Sequence, residues 1–161
     1  MLSALGVVLL YLGAFVDVLD MSMAVFASFV CVIAAVEYGA SAPWMIYGAV
    51  SVLSLVLLPN KTPALFFALF FGFYPILKEK IEKLNALVAW ILKEILFNLS
   101  LFAIVAVLTF VFGVQDILLS ERMMLIITIA LCELVFVLYD ILLKKIVVFY
   151  KLKIRKRLRL K

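Results

Sequence analysis

Long apolar runs, broken at short intervals by a few polar, Gly or Pro residues, dominate the chain. A membrane-spanning helix needs about 20 predominantly apolar residues, with a range of about 17 to 25. On that pattern we expect six crossings. They run from about Ser3 to Leu19, Met21 to Tyr38, Pro43 to Leu58, Pro63 to Leu77, Ala86 to Gly113 and Met123 to Leu143. The breaks have chemical sense. Gly39 suits a left-handed helix end, and Pro43 suits the first turn of the next helix. In "PNKTP" Pro59 stops one helix, Thr62 is read as a cap and Pro63 opens another. The junction at "VDVLD" is the weakest, so the first two segments have a re-entrant pair as their alternative. Pro75 in "GFYPILK" removes a backbone donor and should kink the fourth helix near its inner end.

Composition sharpens this into a solvent assignment. Of 161 residues, 69% are hydrophobic and 16% charged. A soluble domain is nearer half apolar and a quarter charged, and one this small lacks the interior to hide so much apolar surface. Disorder is excluded on the same ground. The expected fold class is an all-α integral membrane protein, a six-helix transmembrane bundle with both termini cytoplasmic. The expected division is a transmembrane domain over 1–143 and a basic, amphipathic cytoplasmic tail over 144–161. The opening "MLSALGVVLLYLGAF" lacks a basic n-region and a small-x-small cleavage site, so it reads as a retained helix.

Charge sets the orientation, because cytoplasmic loops collect Lys and Arg. Nine of the 15 basic residues fall from Lys144 onward, and Lys78, Lys80 and Lys83 fall between the fourth and fifth segments. An even number of crossings puts both groups on one side, leaving Lys61 and Arg122 opposite. The tail's position after a helix favours anionic lipid headgroups over nucleic acid. The expected location is the cell membrane, multi-pass, in a bacterial inner membrane.

The chemistry available is narrow. The chain has no His, and Cys31 and Cys132 sit alone within apolar runs. No cofactor, no metal and no enzymatic activity are expected. Polar groups within apolar helices are costly and often functional. Glu94 and Asn98 share a helix face at i,i+4, Lys93 has a stem long enough to snorkel, and Glu133 stands near the middle of the last run. Asp140 and Lys144, and likewise Lys78 and Glu82, and Glu79 and Lys83, have ion-pair spacing. Paired aspartic-type chemistry would need Glu94 and Glu133 to converge. Ala64, Ala68 and Gly72 recur every four residues. This small-xxx-small face suits close packing, inside the chain or against a partner membrane protein.

Six short helices, inward termini and "LDMS" (Leu19 to Ser22) resemble the substrate-binding S component of energy-coupling factor transporters. That resemblance implies uptake of a small molecule such as a vitamin, energised by partner ATPase subunits. It also implies a substrate site drawn from Asp17, Asp20, Asn98 and Glu133, and a docking face for the coupling subunit, here at Ala64, Ala68 and Gly72. The carboxylates in that set suit a cationic or amine-bearing substrate. The alternative is a non-transporting scaffold of the bacterial cell envelope, similar in size and topology to the rod-shape protein MreD.

Overall fold

A computed structural model describes residues 1–15, 19–39, 41–110 and 122–150, with nothing said of the side chains of 122–125. Asp17 and the tail from 151 onward lie outside the described residues. Every regular element described is helical. In chain order they are α1 (Leu2–Ala14), α2 (Asp20–Tyr38), α3 (Ala42–Leu57), α4 (Thr62–Phe66), a π-helical turn (Phe67–Phe71), α5 (Tyr74–Ile81), α6 (Ala86–Phe110) and α7 (Arg122–Phe149). The chain forms two compact units, Met1–Ile104 and Val105–Lys161.

The expectation of six crossings is not met. Among the described residues three helices are long and apolar enough to cross a membrane: Asp20–Tyr38, Ala86–Phe110 and Ile126–Phe149. The reason is length. Helix α1 has 13 residues and α3 has 16, about 20 and 24 Å at 1.5 Å per residue, against a hydrocarbon thickness of about 30 Å. The fourth expected crossing is cut into three pieces of 5, 5 and 8 residues. An odd count also removes the parity argument that placed both termini on the cytoplasmic side. The result is a small multi-span α-helical membrane protein.

In the first unit α2 is the central post. It packs against α1, α3, α4, the π turn and α5, and its buried positions occupy one broad face. Small residues let neighbours come close. A Cβ on Gly6 would stand 2.9 Å from Val50 Cγ2, and one on Gly13 would stand 2.9 Å from Met23 Cβ. Helix α6 is different. Ala89, Lys93, Phe97, Ser100 and Ile104 form one buried stripe, while Leu87, Ile91, Ile95, Leu99 and Phe102 are exposed. A face that apolar needs hydrocarbon as its solvent. Three buried hydroxyls are satisfied within their own helices. Ser28 Oγ donates to Val25 O at 2.6 Å, Ser54 Oγ to Ser51 O at 3.1 Å, and Ser100 Oγ to Leu96 O at 2.8 Å.

Helix boundaries follow the expected breakers with two changes. Pro43 and Pro63 both lie in first turns, and Gly39 adopts φ 81°. Thr62 is not the cap. It is the first residue of α4, and its N–H donates to Asn60 Oδ1 at 3.0 Å, an Asx turn. Pro75 does more than kink a helix. It lies in the first turn of a new one, α5, after the break at Gly72 and Phe73. Proline has no N–H to give the carbonyl four residues back, and the preceding turn loosens to i→i+5, with Gly72 N–H donating to Phe67 O at 2.7 Å.

The second unit holds the end of α6 and α7. Phe136, Tyr139, Asp140 and Leu143 make a buried stripe at i, i+3, i+4 and i+7 spacing. Lys144 Nζ reaches Asp140 Oδ2 at 3.8 Å, the expected i,i+4 pair. The helix runs on through Phe149, so the first residues of the expected tail continue α7.

Candidate functional site

Three polar constellations stand out in the first unit, and each is built by a break in the helices. The first lies at the π turn. An α-helix would bond Ala68 O to Gly72 N–H. Because that N–H goes to Phe67 instead, Ala68 O needs another donor, and Tyr47 Oη of α3 donates to it at 2.8 Å. The Tyr47 ring is held between Phe67 and Phe73, each 6.2 Å away by centroid, with Trp44 at 6.0 Å. Gly72 makes the room. A Cβ there would lie 2.6 Å from Tyr47 Cδ2 and 2.9 Å from Phe67 O. The small-residue stripe therefore has an occupant within the chain. Ala64 is fully buried, Ala68 offers its carbonyl, and Gly72 lies against the Tyr47 ring.

The second constellation joins the start of α2 to the loop before α4. Asn60 Nδ2 donates to Asp20 Oδ2 at 3.4 Å, while its Oδ1 accepts from Thr62. Lys61 Nζ donates to Leu58 O, closing the end of α3. Asp20 is buried, so one of the expected substrate ligands is a part of the loop's own scaffolding.

The third is the elbow between α5 and α6. Lys93, read from sequence as able to snorkel, is only 3% exposed and bonds Glu82 Oε1 at 3.1 Å. Lys78 is 5% exposed and reaches the same oxygen at 3.8 Å. Glu82 caps α5, so the carboxylate ties the end of one helix to the second turn of the next. An ammonium removed from water needs such a partner. The Lys78–Glu82 pair was legible from its spacing. The Lys93 pair spans 11 residues across a turn and was not.

Asn98 is exposed, and its Nδ2 turns back to Glu94 O at 3.0 Å. Glu94 is half-buried on the same helix, and Glu133 is half-buried on α7 in the second unit. Sequence reasoning overlooked Tyr47 and Asn60. The Asn-x-Thr spelling of an Asx turn was a usable signal for Asn60, whereas nothing local marks Tyr47. Among the described residues no group of three or more Cys, Asp or Glu is placed to hold a metal ion.

Compared with family models, with curated proteins and with solved structures, the chain matches none. The likeness to energy-coupling factor S components draws on six crossings, inward termini and the "LDMS" segment. Three helices of spanning length and no match leave it without support.

Proposed function

We propose that the chain is a non-transporting integral membrane scaffold of the cell envelope, in a bacterial inner membrane, whose work is contact with other membrane proteins. One observation favours this over substrate binding: polar side chains of the expected site and its neighbours take part in the chain's own construction. Asp20 is engaged by Asn60, Tyr47 completes the π turn, and Lys93 ties α6 to α5 through Glu82. A binding subunit needs convergent polar groups aimed at a ligand. With Ala64 and Gly72 packed internally, partner contact falls to the outward apolar face of α6, at positions such as Ile95, Leu99 and Phe102.

The test is photo-crosslinking from Leu99 and Phe102 in the native membrane, together with purification in mild detergent. The expected result is a defined protein adduct at these positions, unchanged by Asn98→Ala. Two results would overturn the reading. One is ATPase subunits copurifying in stoichiometric amount. The other is a small amine-bearing molecule retained by the wild type and lost in Asn98→Ala at unchanged thermal stability.

A further inference from the structure

The α5–α6 elbow has an outer rim as well as its buried pair. Lys80 and Lys83 are exposed there, with Glu79 exposed beside them. Glu82, the elbow's other acid, is engaged by Lys78 and Lys93 at 3.8 and 3.1 Å. That leaves the rim with a positive balance. Directly after it in the chain stands an exposed apolar surface: Leu84, Leu87, Val88, Trp90 and Ile91. Trp90 is 44% exposed and lies one turn into α6, about 6 Å along its axis. An indole at that depth, next to solvated ammonium groups, is the arrangement found where a helix enters the headgroup layer.

From this juxtaposition we infer that the elbow is a binding site for one acidic phospholipid. Its phosphate sits on Lys80 and Lys83, and its acyl chains lie along Leu87, Trp90 and Ile91. The occupant follows from the shape of the chemistry. A soluble anion would use the lysines and leave the adjoining apolar surface unexplained, and a neutral lipid would use that surface and gain nothing from the lysines. The Glu82 bridge gives the site its fixed form, because it holds the rim and the first turns of α6 in one relation. In sequence the elbow stands well before the basic tail, where headgroup contact was expected.

Trp90 supplies a local reporter. The chain carries two tryptophans, so Trp44→Phe leaves Trp90 as the single emitter. Reconstituted in vesicles of phosphatidylcholine, this variant is mixed with acyl-brominated phosphatidylglycerol or, in parallel, with acyl-brominated phosphatidylcholine at the same mole fraction. Bromine quenches an indole only at short range, so the ratio of the two quenching curves gives the relative affinity for the acidic lipid at the elbow. Each lysine near an anionic headgroup contributes about fivefold, so the expected preference is at least about fivefold for phosphatidylglycerol. It should fall to near one in Lys80→Gln/Lys83→Gln. A variant neutralising Lys151, Lys153 and Lys156 should keep it. Equal quenching by the two lipids in the parent protein overturns the inference. A preference that survives Lys80→Gln/Lys83→Gln and disappears with the tail lysines also overturns it, by assigning the acidic lipid to the tail.

Discussion

Replacing Gly72 by alanine tests the π-turn constellation at its tightest point. The new methyl would meet Tyr47 Cδ2 at 2.6 Å, Phe67 Cε1 at 2.9 Å and Phe67 O at 2.9 Å. Real carbon contacts need well over about 3 Å, and only the ring atoms can move. Tyr47 is poorly placed to yield, because its hydroxyl is committed to Ala68 O at 2.8 Å and its ring stands between Phe67 and Phe73. Overpacking of this kind costs about 1–3 kcal/mol. The backbone oxygen among the three contacts puts the expected cost in the upper half of that range, about 2 kcal/mol. Tyr47→Phe keeps the ring and removes the donor to Ala68 O. Side-chain hydrogen bonds between membrane helices average about 0.6 kcal/mol and reach about 1.7 kcal/mol. The expected loss is therefore about 1 kcal/mol, smaller than for Gly72→Ala. The assay is reversible unfolding in mixed micelles by titration with a denaturing detergent. Tyr47→Ala combined with Gly72→Ala should be less damaging than the sum of the two, since removing the ring removes the closest contact. Additivity in that cycle, or a Gly72→Ala cost below about 0.5 kcal/mol, would refute the packing argument.

Other outcomes follow from the remaining constellations. Glu82→Gln leaves buried Lys93 facing a neutral group and should lower the thermal midpoint more than Lys93→Met, which removes the buried charge itself; the reverse order would show that the pair does not hold the elbow. Asn60→Ala breaks the bond to Asp20 and the Asx turn together and should cost about 1–2 kcal/mol. Limited proteolysis of that variant should open near the α3–α4 loop, and cleavage unchanged from the wild type would contradict the role given to Asn60. Gly6→Ala should cost less than Gly72→Ala in the same micelle titration. Its close contacts, at 2.9 and 3.3 Å, are both to methyl groups of one side chain, Val50.

Much of the architecture was legible from the sequence. The apolar runs, the proline-led helix starts and the i,i+4 pairs Lys78–Glu82 and Asp140–Lys144 are local properties, and the structure carries each of them. The number of crossings was not legible, because an apolar run reports what a segment avoids and not how long its helix stays regular. Leu2–Ala14 is predominantly apolar and still too short. Thr62–Ile81 is long enough in residues, but Gly72 and Pro75 divide it. The site was less legible than the fold. Ala64, Ala68 and Gly72 announce a close approach without saying to what, and the answer, Tyr47, lies 25 residues before Gly72 in another helix. Lys93 had a stem long enough to reach water, and only the chain's return at the elbow shows that it reaches Glu82 instead. Asp20 and Asn98 make the same point. A costly polar group marks a place that needs a partner, and here the partners are a loop amide for Asp20 and a carbonyl one turn back for Asn98.

Helices α2, α6 and α7 lie at membrane depth, and each of them crosses the membrane once. Cysteine accessibility measures this directly. With Cys31 and Cys132 replaced by alanine, single cysteines are introduced in Leu19→Cys, Lys83→Cys and Lys145→Cys and treated with a membrane-impermeant thiol reagent in sealed vesicles of known orientation. Lys83→Cys and Lys145→Cys are expected to react from the same face, the cytoplasmic one, and Leu19→Cys from the other. Labelling of Lys83→Cys and Lys145→Cys from opposite faces, or of all three from one face, would contradict it.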